Sequence, residues 1–290
     1  DGDKFAVQQF ALGMGFGTAL MELTNVSCGT VSFYHKESGT GKTALQWAQT
    51  GIWGDPLALI LDKADTHNFR MNRSEVYHSL PVAIDEVTNM SPYQLSELVY
   101  QNTSGQQKGR MSSSSNIERK RTGNRWSLLC SITSNTSIVE RISMAKAMPK
   151  AEAQRVLECR VERIFDEFKD KEATDGFEAG IKENYGHAGP AFVQYVMKNL
   201  DACRKILADV HKRVDTRGEL TAENRFWSAT IAATIAGLII SKRAGLHDYD
   251  VGKVLDWSID DLLTQNKKAS LAMHGSVFET MNDFFAENIS

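Results

Sequence analysis

Residues 31–43 constrain the fold of this chain more than any other stretch. Val31–His35 is a short run of β-branched and aromatic residues, Ser38-Gly39-Thr40-Gly41-Lys42-Thr43 follows, and Ala44–Gln49 continues in helical character. A strand that turns through glycines into a helix can aim several backbone N–H groups at one point, and the helix N-terminus adds partial positive charge there. That arrangement suits a phosphate. Ser38, Gly39, Thr40, Gly41, Lys42, Thr43 and Ala44 are therefore expected to cradle the phosphates of ATP, with Lys42 reaching the β- and γ-phosphates and the Thr43 hydroxyl binding Mg²⁺. The G-x-x-x-x-G-K-[ST] pattern places a glycine at position 36, where this chain has Lys36.

A second element complements the first. Leu80–Glu86 is an apolar run ending in two adjacent carboxylates, so a buried strand would deliver Asp85 and Glu86 to the edge of a sheet. Asp85 is expected to hold the metal and Glu86 to act as general base on the attacking water. Five apolar runs separated by helical or loop-like segments predict repeated strand–helix units and a parallel α/β sheet: Val31–His35, Leu57–Leu61, Leu80–Val87, Trp126–Thr133 and Arg155–Ile164. From Phe165 onward the apolar spacing becomes helical, as in Phe192, Tyr195, Val196 and Leu200. The chain thus divides into an ATPase core over residues 1–165 and an all-helical domain over 166–290. Within the latter, Arg225–Ala244 is apolar on nearly all sides and reads as a central buried helix.

Composition excludes some classes. With a net charge of −3 the surface is not basic overall, so nucleic acid would need a local patch. The densest basic segment is Gly105–Arg125, where Lys108, Arg110, Arg119, Lys120, Arg121 and Arg125 are balanced by Glu118 alone. It reads as a phosphate-gripping element or as a solvated loop. Cys28, Cys130, Cys159 and Cys203 lie far apart without a Cys-x-x-Cys pair, which predicts reduced thiols in a cytoplasmic protein rather than a disulfide frame or zinc site. The apolar run Phe10–Leu23 is too short to span a bilayer and is broken by Gly13, Gly15 and Gly17, so no membrane association is expected. The chain begins at Asp1 rather than methionine, which suggests a piece of something longer.

Several features resemble known ATPases. One strand between the Gly-rich loop and the Asp-Glu strand is similar to P-loop ATPases that carry a catalytic glutamate. Asn135, at the end of the Trp126–Thr133 strand, resembles the sensor residue of AAA+ proteins. Arg155, before the fifth strand, resembles their arginine finger, with Arg141 and Arg160 as further candidates. The basic interval resembles the channel hairpin of superfamily III helicases, which implies that Lys108, Arg110, Arg119, Lys120 and Arg121 bind single-stranded DNA. Taken in order, Ser38–Leu45, Trp53–Pro56, Leu80–Thr88, Glu97–Tyr100, Gly105–Arg110, Tyr185–Phe192 and Arg225–Ala229 resemble a family of phage and plasmid replication proteins. That resemblance implies an AAA+-like ATPase assembled as a hexameric ring, acting as a replicative helicase on single-stranded or forked DNA. It also implies a primase or polymerase domain on the same longer chain, and the host cytoplasm as its place if it is of phage origin. Other P-loop DNA motors, of packaging or transposition type, and a non-motor regulatory ATPase are the alternatives.

Overall fold

The computed structural model describes residues 5–106, 125–145, 150–163 and 171–271. Five strands form one parallel sheet in the order β2-β3-β4-β1-β5: β1 (Cys28–Tyr34), β2 (Ile60–Leu61), β3 (Val82–Ile84), β4 (Leu128–Ser134) and β5 (Val156–Arg160). The chain is therefore an α/β protein with its sheet flanked by helices. The central strand β1 is buried along almost its whole length and pairs Tyr34 with Ser134 on one side and Arg160 on the other.

Helices α1 (Ala6–Gly17), α2 (Lys42–Gly51), α3 (Pro56–Leu59), α4 (His67–Tyr77), α5 (Pro92–Ser104), α6 (Ile138–Ser143) and α7 (Lys150–Ala153) alternate with the strands. They are followed by α8 (Lys171–Glu183), α9 (Ala188–Lys198), α10 (Leu200–Arg217), α11 (Arg225–Arg243) and α12 (Val251–Trp257), which runs into a π-helical turn over Ser258–Leu263. Local chemistry sets the ends. Ser91 and Gln94 form a reciprocal capping box ahead of α5, with Pro92 in its first turn.

The sheet carries two cores. On one face Cys28, Cys130, Ile132 and Val156 pack with Leu95, Leu98 and Val99 of α5. On the other, Val31, Phe33, Leu129 and Leu157 pack with α1 and with Trp227, Ile231, Ile235 and Leu238 of α11. The expected central helix is thus α11, and the residues after 171 share a core with the sheet. The expected boundary at residue 165 falls outside the described residues. α1 and α11 meet backbone to backbone, since a Cβ on Gly17 would lie 2.4 Å from the Ala233 carbonyl oxygen and one on Gly237 would lie 2.5 Å from the Gly17 nitrogen. Gly13 and Gly17, two of the glycines that interrupt the Phe10–Leu23 run, allow this approach, while Gly15 faces Gln49 and Ile52 around the end of α2.

A second tie joins the sheet-forming and C-terminal segments. Gly186 N–H donates to the Gly51 carbonyl at 2.8 Å, Gly189 N–H to the Ile52 carbonyl at 2.9 Å, and the Trp53 indole to the Gly15 carbonyl at 2.7 Å. A Cβ on Gly189 would fall 2.5 Å from the Trp53 ring, and Phe192 packs on Phe16 with centroids 5.1 Å apart. Trp53–Pro56 and Tyr185–Phe192, which stand far apart in sequence, are therefore one contact at the end of α2.

Three strands differ from expectation. Leu57–Leu59 is helical and only Ile60–Leu61 pairs, because Pro56 starts a turn that Asp55 caps by accepting the Leu57 N–H at 3.0 Å. β3 is confined to Val82–Ile84, since Pro81 has no N–H to give and Glu86 adopts φ 56°. β5 ends at Arg160. All four cysteines are buried and free, and burial pushes the Cys28 and Cys159 thiols up and that of Cys130 to about 12. Among the described residues no helix is long and apolar enough to cross a membrane.

Candidate nucleotide site

The C-terminal edge of the sheet gathers the polar residues singled out above. β1 ends at Tyr34, and the chain turns through Gly39 (φ 72°) and Gly41 (φ 87°) into α2. Both are left-handed conformations, and a Cβ at either would meet nothing within 4 Å. It is therefore conformation rather than space that calls for glycine, and the loop surface stays open for a bulky anion. Around Lys36, where the pattern has glycine, the His35 Nδ1 accepts the Glu37 N–H at 3.1 Å.

Lys42 lies buried beneath this loop. Its Nζ donates to the carbonyls of His35 at 3.2 Å and Glu37 at 2.9 Å. Burial pushes the ammonium pKa down, while the charges of Glu86 and Asp85 push it back up. The Thr40 hydroxyl is buried without a partner beside it. Thr43, the next residue on α2, is exposed, and its hydroxyl lies 3.3 Å from both carboxylate oxygens of Asp85. A hydroxyl and a carboxylate facing each other at an open edge are hard oxygen donors, which fit Mg²⁺ with most of its water shell retained.

Asp85 and Glu86 leave β3 in different directions. The Asp85 N–H still bonds to the Leu61 carbonyl at 2.8 Å, whereas Glu86 turns into the left-handed region, uncommon for a residue with a Cβ. Its N–H is taken by the Thr133 hydroxyl at 2.8 Å, and that hydroxyl donates to Asp85 Oδ1 at 2.5 Å. The Glu86 carboxylate accepts the Thr88 N–H at 3.2 Å and the Asn135 side-chain amide at 3.4 Å. Asn135 is fixed in turn by its own N–H, which bonds to the Thr88 hydroxyl at 2.8 Å. Lys42, Thr43, Asp85, Glu86 and Asn135 are thus brought together. β4, lying between β1 and β3, supplies the bridging group.

The arginines are dispersed. Arg155 lies just before β5, at the sheet edge opposite the loop; its guanidinium bonds to the Ala151 carbonyl at 3.0 Å and stacks on Tyr100 at 4.8 Å and Phe226 at 5.6 Å. Arg141 on α6 donates to the Met90 carbonyl. Arg160 pairs with Glu162 at 2.9 Å. Arg163, which the sequence reading passed over, approaches the loop, 3.4 Å from the Ser38 carbonyl and 3.9 Å from the Glu37 carboxylate. Lys108, Arg110, Arg119, Lys120 and Arg121 lie outside the described residues. The ends of their segment meet, since Gln106 and Arg125 form an antiparallel bridge and the Trp126 N–H bonds to the Gly105 carbonyl at 3.0 Å. Trp126 itself is buried, its indole donating to the Asn102 carbonyl at 2.9 Å.

One ionisable group of the sheet, away from these residues, had no sequence signal. Glu158 of β5 is enclosed and caps α6, accepting the Ser137 hydroxyl at 2.5 Å and the N–H groups of Ile138 at 2.8 Å and Val139 at 3.4 Å. Burial pushes its carboxyl up to about 7, and those three donors pull it the other way. Asn266 clamps the Glu158 backbone from behind, bonding to its N–H and its carbonyl at 2.8 Å each.

A family model described as a domain of unknown function (DUF927) matches residues 4–123, a span that takes in α1, the Gly-rich loop and Asp85-Glu86. No curated protein matches the chain. Among solved structures, the active helicase Cch of SCCmec type IV is similar, with a TM-score of 0.71 and 20% identity over 96% of this chain and 51% of that one. This chain therefore spans about half the length of that helicase. At such identity the likeness concerns the fold: a five-stranded parallel sheet with flanking helices, built as in a helicase of known structure.

Proposed function

We propose that this chain is the ATP-hydrolysing module of a DNA helicase, with a P-loop at Ser38–Ala44, the metal and water held by Thr43, Asp85 and Glu86, and a helical C-terminal part over 166–290. The observation that carries the reading is the convergence of a glycine loop, a buried lysine and two carboxylates at one sheet edge. The helicase assignment draws on the fold likeness and on the basic interval between α5 and β4.

Each residue then has a task. The loop N–H groups and Lys42 bind the phosphates, Lys42 exchanging its two carbonyl partners for phosphate oxygens. Asn135 orients the Glu86 carboxylate. Glu86 accepts a proton from a water whose oxygen bonds to the γ-phosphorus as the bond to the β–γ bridging oxygen breaks, leaving ADP and inorganic phosphate. Mg²⁺, when bound, offsets the charge on the β- and γ-phosphate oxygens. Arg155 precedes β5, at the opposite end of the sheet from Lys42, so in a hexameric ring it would serve the site of a neighbouring subunit. Lys108, Arg110, Arg119, Lys120 and Arg121 would grip the phosphates of single-stranded DNA. The test is strand displacement on a forked DNA substrate with ATP and Mg²⁺. Opening of the fork together with DNA-stimulated ATP turnover is the expected result, and turnover indifferent to single-stranded DNA with no fork opened would reject the helicase reading.

A further inference from the structure

The proposed catalytic pair is not held by its own strand. Pairing of β3 with β4 stops at Ile84 and Ile132; beyond it the Asp85 backbone keeps only its N–H bond to the Leu61 carbonyl, and Glu86 has left both ladders. What meets them is Thr133, one residue past the end of that ladder and 1% exposed. A hydroxyl carries one proton to give and lone pairs to accept with, and here both capacities are used on adjacent residues. It donates to Asp85 Oδ1 at 2.5 Å and accepts the Glu86 N–H at 2.8 Å, while the Thr133 carbonyl accepts the Val87 N–H at 2.9 Å. The left-handed turn at Glu86 is thus bonded to one residue of the neighbouring strand on both sides of the bend.

We infer that Thr133 is a positioning residue for hydrolysis: its hydroxyl orients the Asp85 carboxylate toward Thr43 and holds the Glu86 backbone in the turn that aims the general base. The inference rests on the ATPase reading above. Serine at 133 would keep the hydroxyl and valine would keep the shape without it, so the two variants separate chemistry from packing. Thr133→Val removes a donor to the carboxylate that faces Thr43 and leaves the Glu86 N–H without its acceptor. Groups that orient metal ligands from behind are worth about 10–100-fold in activity or metal affinity.

The experiment compares wild type, Thr133→Val and Thr133→Ser, each verified as folded by circular dichroism. It measures steady-state ATP turnover and the affinity for a fluorescent ADP analogue in EDTA and in Mg²⁺. Expected for Thr133→Val is a kcat lowered about 10–100-fold, an affinity in EDTA within about twofold of wild type, and loss of the gain in affinity that Mg²⁺ gives wild type. Thr133→Ser should restore both quantities to within about threefold, since it restores the hydroxyl. Wild-type kcat in Thr133→Val, or equal losses in Thr133→Ser and Thr133→Val, would overturn the positioning role while leaving the ATPase reading intact. A wild-type protein that binds no nucleotide would overturn both.

Discussion

Replacing Glu158 with glutamine should flatten the dependence of stability on pH across the neutral range. In the folded chain the carboxyl is enclosed beside Ser137 and α6 and ionises near 7, against 4.5 for the same group in the open. The native state therefore keeps its proton to higher pH than the unfolded chain does. The resulting stability is fully present below about pH 4.5 and is lost as pH rises through about 7. Between pH 5 and pH 8 the loss is about 2.5 kcal/mol, at about 1.4 kcal/mol per pH unit. Tyr34, Glu140 and Arg160 lie nearby in both proteins, so the informative quantity is the difference between wild type and variant. Glutamine keeps a carbonyl for the Ile138 and Val139 N–H groups and has no proton to lose. Denaturant unfolding at pH 5 and pH 8 should show the variant gaining about 2.5 kcal/mol on wild type between the two conditions. A gap unchanged to within about 0.5 kcal/mol would mean that Glu158 ionises normally, by solvent access or by rearrangement of α6.

Glu86→Gln should lower ATP turnover by about 10²–10⁴-fold, the worth of a general base. Binding of ATP and of single-stranded DNA should persist in that variant, and a filter-binding assay showing ATP affinity lost would make Glu86 structural. Lys108→Ala combined with Arg110→Ala should leave basal turnover intact, abolish its stimulation by single-stranded DNA, and reduce the salt slope of DNA binding by about 1–2, as expected for two phosphate contacts. An unchanged slope in fluorescence anisotropy would count against the basic segment as the grip. Gly237→Ala should destabilise the fold by about 1–3 kcal/mol despite its gain in helix propensity, because the new methyl would meet the Gly17 backbone at 2.5–2.8 Å. A melting temperature at or above that of wild type would show that α1 can move aside.

What could be read in advance was local. Gly39, Gly41, Lys42 and Thr43 announce their geometry because the strand, turn and helix are contiguous, and Asp85-Glu86 announces itself because an apolar strand that ends in two acids is unlike a core strand. Trp53–Pro56 and Tyr185–Phe192 were visible as motifs. Their packing of Gly189 on the Trp53 ring was not, since contact across more than a hundred residues leaves no periodicity. Thr133 was hidden for a different reason: within a buried strand a threonine is an ordinary β-branched residue, and its role exists only once β4 is inserted between β1 and β3. Glu158 looked like one polar residue in an alternating strand until α6 and Asn266 enclosed it. At Leu57–Leu59 the apolar run outvoted Asp55-Pro56, although the cap and the proline decided the local structure.

The seam between α1 and α11 also bears on how the chain is made. α1 leaves the ribosome roughly 200 residues ahead of the helix that covers it, and at about 5–20 residues per second that interval lasts about 10–40 s. Throughout that time the side of α1 that carries Gly13 and Gly17 lacks its partner helix. Closure of this core therefore waits for α11, and any factor that shelters the α11-facing side of α1 during that interval governs the yield of native molecules.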